Sequence, residues 1–121
     1  MQLHEHFKRS EFQCKCGCGF DTVDAELLYV LIKLRAEFNA VVHIYSGSRC
    51  RIHNGNIDGS EKSLHLIGRA ADVAVEGVHP DIIADYFEDH YPQMYGIGRY
   101  VGRTHIDTRK NQARWDYRVK Q

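Results

Sequence analysis

Residues 70–75, AADVAV, form a continuous apolar run that carries a single charge, Asp72. A short run of small and β-branched residues between Gly68 and Gly77 predicts a buried strand. A carboxylate in such a strand is costly to bury alone, so the fold has to bring a partner to it. The chain offers candidates. SLHLIGRAAD places His65 seven residues before Asp72, across Gly68, and a second imidazole, His105, follows in THID. Two imidazoles and one carboxylate suit zinc and leave a fourth position open for water. A core His hydrogen-bonded to Asp explains the same spacing without a metal, and spacing alone leaves both open.

The flanking segments supply a scaffold. Leu27, Leu31, Leu34 and Phe38 recur at spacings of four, three and four, which predicts a helix of about 15 residues. Asp21, Thr22 and Asp24 are its cap candidates and Asn39 its stop. Residues 41–45 predict a strand closed by Ser46 and Gly47, and residues 51–64 a long polar loop leading to His65. Pro80 opens a second helix with Ile83, Tyr86, Phe87 and His90 on its apolar side, ending before Pro92. MYGIGRYVGRTHIDTR predicts a hairpin turning near Gly102, with Arg103, His105 and Asp107 on one face of its second strand and Ile106 on the other. The tail ARWDYRV either adds an edge strand or packs Trp115 on the body. Residues 1–20 show no helical period and read as a Cys-rich arm laid on the domain.

A length of 121 residues fits one domain, 1–121. Sixteen basic and sixteen acidic residues cancel, so nothing global draws the chain to nucleic acid or an anionic membrane. The longest apolar stretch, residues 27–34, is broken by Tyr29 and Lys33 and too short to span a bilayer, which argues against membrane insertion. The start, MQLHEHFKRSEF, has no apolar signal core, so synthesis in a cytoplasm without a signal peptide is expected. Reduced thiols follow for the four cysteines. Cys14, Cys16 and Cys18 alternate and share one face of an extended backbone, but only Cys14 and Cys18 have the separation of a zinc knuckle. The expectation is small buried thiols holding the arm down, with a second ion bound by these and Cys50 disfavoured.

Arg49 follows the first core strand, and its planar fork could hold a carboxylate; considered alone it is an exposed loop Arg. Cys50 or Ser46 could serve as a nucleophile beside a His, but no GxSxG elbow is present, nor a phosphate-binding Gly-rich loop.

Taken in order, SGSRC, HN, GSEKSLHLIGRAADV, GIGRY and THIDTR with a following Trp resemble the zinc D-Ala-D-Ala carboxypeptidase family. That family lies in the LAS metallopeptidase superfamily, with cell-wall endopeptidases and the hedgehog signalling domain. The opening HFKRSEFQCKCGCGF is similar to the start of small, often phage-encoded members. The resemblance implies an α+β fold, a small antiparallel sheet with two or three packed helices. It implies one catalytic zinc ion held by His65, Asp72 and His105, with Ser63 and Gly68 matching the pattern SxHxxGxAxD, Ser63 among the substrate-binding residues, and Arg49 contacting substrate. The implied activity is hydrolysis of peptide bonds in peptidoglycan stem peptides, as carboxypeptidase or endopeptidase, at the bacterial cell wall, by a monomer that a holin, a virion or another route brings to its substrate.

Relatives place a Glu three residues before the last His ligand, or a His two before it. Here those positions are Gly102 and Arg103, so Asp107, on the strand face of His105, is the candidate for general base or for partner of His105. A plain salt bridge to Arg103 or Arg109 is its competing role. Two other classes remain at this stage: a catalytically degenerate wall-binding or structural module of the same fold, and a thiol-based protein.

Overall fold

The computed structural model describes residues 2–57, 59–60 and 62–118. Asp58 and Glu61 of the expected polar loop, and the end of the tail from Val119, lie outside the described residues.

The elements run β1 (Gln2–His4), β2 (Phe7–Lys8), a 3-10 turn (Arg9–Phe12), α1 (Ala25–Phe38), β3 (Val42–Ser46), α2 (Arg51–Asn56), a second 3-10 turn (Leu64–Ile67), β4 (Ala70–Val75), α3 (Pro80–His90), β5 (Gly96–Arg99), β6 (Thr104–Asp107) and β7 (Ala113–Asp116). β1 and β2 pair as a small hairpin, and the others form a five-stranded sheet in the order β3-β4-β6-β5-β7. The sheet is antiparallel except where β7 returns parallel to β5. This is the α+β architecture expected, with a mixed edge.

Amphipathic packing explains the arrangement. Leu27, Val30, Leu31 and Leu34 of α1, with Ile83, Ala84 and Phe87 of α3, are buried against Val42, Ile44, Ala71, Val73, Val75, Ile97 and Ile106 of the sheet. The strand residues alternate, so the odd positions of β4 face the helices and Asp72 faces away. Asp24 caps α1 by accepting from the Leu27 N–H at 3.1 Å, and Asn39 ends it in the left-handed region at φ 47. Phe38 is only half-buried, packed edge-on to Tyr86 at 5.5 Å, while His90 is exposed at the end of α3.

The arm, read as laid on the domain, forms β1, β2 and a 3-10 turn and sinks Phe7 and Phe12 into the common core. One expectation needs correction. The polar loop begins with helix α2, despite its Gly and Asn content. Tertiary contacts override propensity there, because Asn54 is buried, accepts from Arg49 Nη1 at 3.1 Å and donates to the Ser60 carbonyl at 2.9 Å.

Candidate metal centre

The polar face of the sheet carries its key residues in one row. Strand register pairs Ser46 with Asp72, Asp72 with His105, His105 with Gly98, and Gly98 with Trp115. His65 enters from the second 3-10 turn. Ser63 caps that turn, its Oγ accepting from the His65 N–H at 3.2 Å, and Gly68 ends it at φ +72, packed on the Thr22 backbone where a Cβ would collide. His65, Asp72 and His105 thus converge from a turn and two adjacent strands. They are 2 %, 7 % and 8 % exposed, and one ligand atom of each lies within 4.8 Å of the others.

Both imidazoles are held by the nitrogen that does not face the centre. His65 Nδ1 is 2.7 Å from the Gly47 carbonyl, which only accepts, so Nδ1 carries the proton. Its Nε2 then presents a lone pair, is buried without a hydrogen-bond partner among the described residues, and stands 3.4 Å from Asp72 Oδ2. His105 Nε2 is 2.8 Å from Asp107 Oδ2, and its Nδ1 is 3.0 Å from Asp72 Oδ1. Nε2 of His65 and Nδ1 of His105 face one carboxylate, and a cation shared among the three would take the place of any proton between them. The donor set, two nitrogens and a carboxylate with each His oriented by a backbone carbonyl or a second carboxylate, fits zinc.

Charge is balanced accordingly. Burial alone would raise the Asp72 carboxyl, but the His105 and His65 imidazoles beside it outweigh burial and hold the group well below the usual carboxylate range. For His105, burial opposes protonation, and its bonds to Asp107 and Asp72 prevail and raise it. Asp107 is 0 % exposed and has every acceptor engaged: by His105, by the Gly96 N–H at 3.1 Å, and by Arg109 through its backbone N–H, Nε and Nη2. Both roles weighed for Asp107 beside catalysis, partner of His105 and ion pair with Arg109, are present in the geometry. Arg103 instead stacks over Tyr100, 4.6 Å from the ring centroid.

Arg49 is not an exposed loop residue. Its guanidinium is half-buried, donating to Ser46 Oγ at 3.2 Å, Asn54 Oδ1 at 3.1 Å and Asp72 Oδ2 at 3.4 Å. Among the described residues three of its five N–H donors are engaged. Burial pulls its pKa down against the pull of Asp72. The centre opens into a cleft of about 500 Å³ whose rim carries Arg49, Lys62, Ser63, Arg103 and Arg109. A neighbouring cleft of similar size shares Arg49, Asp72 and Arg103 with it.

Sequence patterns missed the role of the β5 glycines. Gly96 and Gly98 lie on the polar face, where a Cβ on the first would strike the Asp107 carboxylate and on the second the Trp115 indole. Their absence of side chains lets Asp107 fold under His105 and lets Trp115 reach it, ring centroids 4.9 Å apart. Trp115 Nε1 donates to Tyr100 Oη at 2.9 Å, leaving the Tyr100 proton available in the cleft. Glycine at alternate positions of a strand opposite THID is the signal that could have revealed this.

The cysteines also depart from expectation. Only Cys14 is buried, Cys16 and Cys18 are exposed, and the four sulfurs of Cys14, Cys16, Cys18 and Cys50 lie within 4.8 Å of one another.

Among comparisons with known proteins, the family model described as Peptidase M15 matches residues 5–107, a span that contains all three ligand candidates. No curated protein matches the chain.

Proposed function

The chain belongs to the peptidase M15 family, and from that premise we propose that it is a zinc-dependent metallopeptidase that hydrolyses peptide bonds in the stem peptides of peptidoglycan. The observation that carries this is the orphaned, buried Nε2 of His65, facing Asp72 and His105 at the base of a cleft rimmed by cations. Zinc bound there would polarise a scissile carbonyl and lower the pKa of a water. The protein's own part is positioning. Gly47 and Asp107 fix the two imidazoles, and Arg49, anchored on three sides, offers N–H donors not engaged among the described residues to a substrate carboxylate. Stem peptides carry free carboxylates, which suits a rim of Arg and Lys on a chain with no net charge.

Asp107 is better suited to orient His105 than to take a proton from water, since its oxygens are buried and engaged on the side of His105 away from Asp72. Tyr100 supplies a cleft hydroxyl that, among the described residues, accepts from Trp115 and donates to none. Burial raises its pKa, so it stays protonated and can donate to a developing oxyanion. A second cleft adjoining the centre at Asp72 leaves room for a longer substrate, which suits an endopeptidase as well as a carboxypeptidase.

The test is mass spectrometry of muropeptides after digestion, with and without chelator. Chelator-sensitive products cut within the stem peptide are expected, and their masses identify the bond. Intact muropeptides with zinc demonstrably bound would favour the degenerate wall-binding module, for which Gly102 and Arg103 in place of the usual Glu or His are the motivating observation.

A further inference from the structure

We propose that Cys14, Cys16, Cys18 and Cys50 bind a second zinc ion in a closed, structural four-thiolate site that bolts the N-terminal arm to the segment bearing Arg49. The sulfurs have the required spacing. Cys14 to Cys16 is 3.5 Å, Cys16 to Cys50 is 3.7 Å and Cys14 to Cys50 is 3.9 Å. Four sulfurs at the usual Zn–S distance stand at the corners of a tetrahedron with edges of about 3.8 Å.

The backbone builds this arrangement. The Cys14 N–H donates to the Phe20 carbonyl at 2.7 Å, and the Gly17 N–H donates to the Cys14 carbonyl at 3.1 Å. Gly17 and Gly19 turn in the left-handed region, at φ +85 and +91, with open space around them. CKCGCGF is therefore a tight knuckle rather than the extended strip that alternation suggested. Cys50 meets it from the end of the segment after β3. The Cys50 N–H donates to Cys14 Sγ and the His53 N–H to Cys50 Sγ, both at 3.4 Å, which stabilises sulfur as thiolate.

Other roles fit less well. Thiols that merely fill a core are buried, and Cys16 and Cys18 are exposed. Disulfides would draw the sulfurs into pairs, whereas Cys14, Cys16 and Cys50 are nearly equidistant. With four thiolates no position is left for water, so the ion would be structural. Its loading converts four thiols to thiolates and releases four protons to solvent. Its place explains its use: the Ser48 N–H donates to the Phe12 carbonyl at 2.8 Å, and Gly47 packs on Phe12. The clamp thus holds residues 47–50, which supply both the carbonyl that orients His65 and the side chain of Arg49.

The experiment is metal analysis and native mass spectrometry of the full chain purified in zinc. Two zinc ions per chain are expected in the wild type and one in His65→Ala. Cys50→Ser should keep only the His-bound ion. Cys18→Ser, which alters an exposed position, should lose the sulfur-bound zinc to chelator with at least about 100-fold weaker affinity, more than the loss of an outer partner causes. Cobalt loading of His65→Ala should give an intense sulfur-to-cobalt charge-transfer band; this readout does not depend on any Cys variant folding. A single zinc in the wild type with four freely reactive thiols would overturn the proposal. So would an intact mass lighter by the hydrogens of one or two disulfides.

Discussion

The His65, Asp72, His105 set and the cysteine cluster share residues 47–50, yet they solve metal binding differently. The first has three ligands, all buried, each imidazole held by its far nitrogen, and a cleft in front. The second has four ligands, two of them exposed, three presented by a glycine knuckle and the fourth, Cys50, by the segment after β3. Ligand number separates an ion that can work on substrate from one that can only hold chain segments together. Burial follows the same division. A three-ligand site needs a dry, charge-balanced wall to tune what enters the fourth position, whereas a saturated site does not.

The contrast breaks most visibly at the buried set. His65→Ala or Asp72→Ala should abolish hydrolysis of peptidoglycan fragments and remove one zinc, with the sulfur-bound zinc retained; activity at the wild-type level in either variant contradicts the assignment. Tyr100→Phe should lower kcat by about 10²-fold, as loss of a single oxyanion donor does, with both zinc ions kept. A change confined to KM would mean that the hydroxyl only binds substrate.

Asp107→Asn should cost about 10- to 100-fold in zinc affinity at the His site, measured by chelator competition, with no change at the cysteines. The same variant carries a pH signature. Burial would raise the Asp107 carboxyl, but His105 and Arg109 hold it well below its usual value. Its contribution to stability is therefore full above the unfolded value of about 3.9 and is lost as pH falls through the lower folded value. Urea denaturation below pH 4 should show this loss in the wild type and not in Asp107→Asn. Arg49→Lys keeps the charge but not the fork, so KM should rise by about tenfold with zinc content unchanged. Cys18→Ser should act least, leaving kcat within about twofold while loosening only the second zinc.

Much of this was legible in residue order. The four-three-four spacing of Leu27, Leu31, Leu34 and Phe38 marks α1, and AADVAV marks the central strand, because periodicity and burial are local properties of sequence. GIGRY and THIDTR mark the hairpin that pairs β5 with β6. What escaped is non-local. Helix α2 depends on Asn54 bonding to Arg49 and Ser60, and although the tail offered an edge strand, the parallel direction of β7 is encoded by no turn. The cleared space at Gly96 and Gly98 becomes meaningful only when Asp107 and Trp115 lie across from them. Cys50 joins the arm cysteines from far along the chain, beyond the whole of α1 and β3, a grouping weighed from sequence but disfavoured because spacing rules speak only for near neighbours.

The most direct measurement is stepwise chelation of the wild-type protein, following zinc release and hydrolysis of stem peptides in the same sample. The account predicts that activity disappears with release of the ion from His65, Asp72 and His105, and returns when one equivalent of zinc is restored. Hydrolysis that persists after this site is emptied would contradict it.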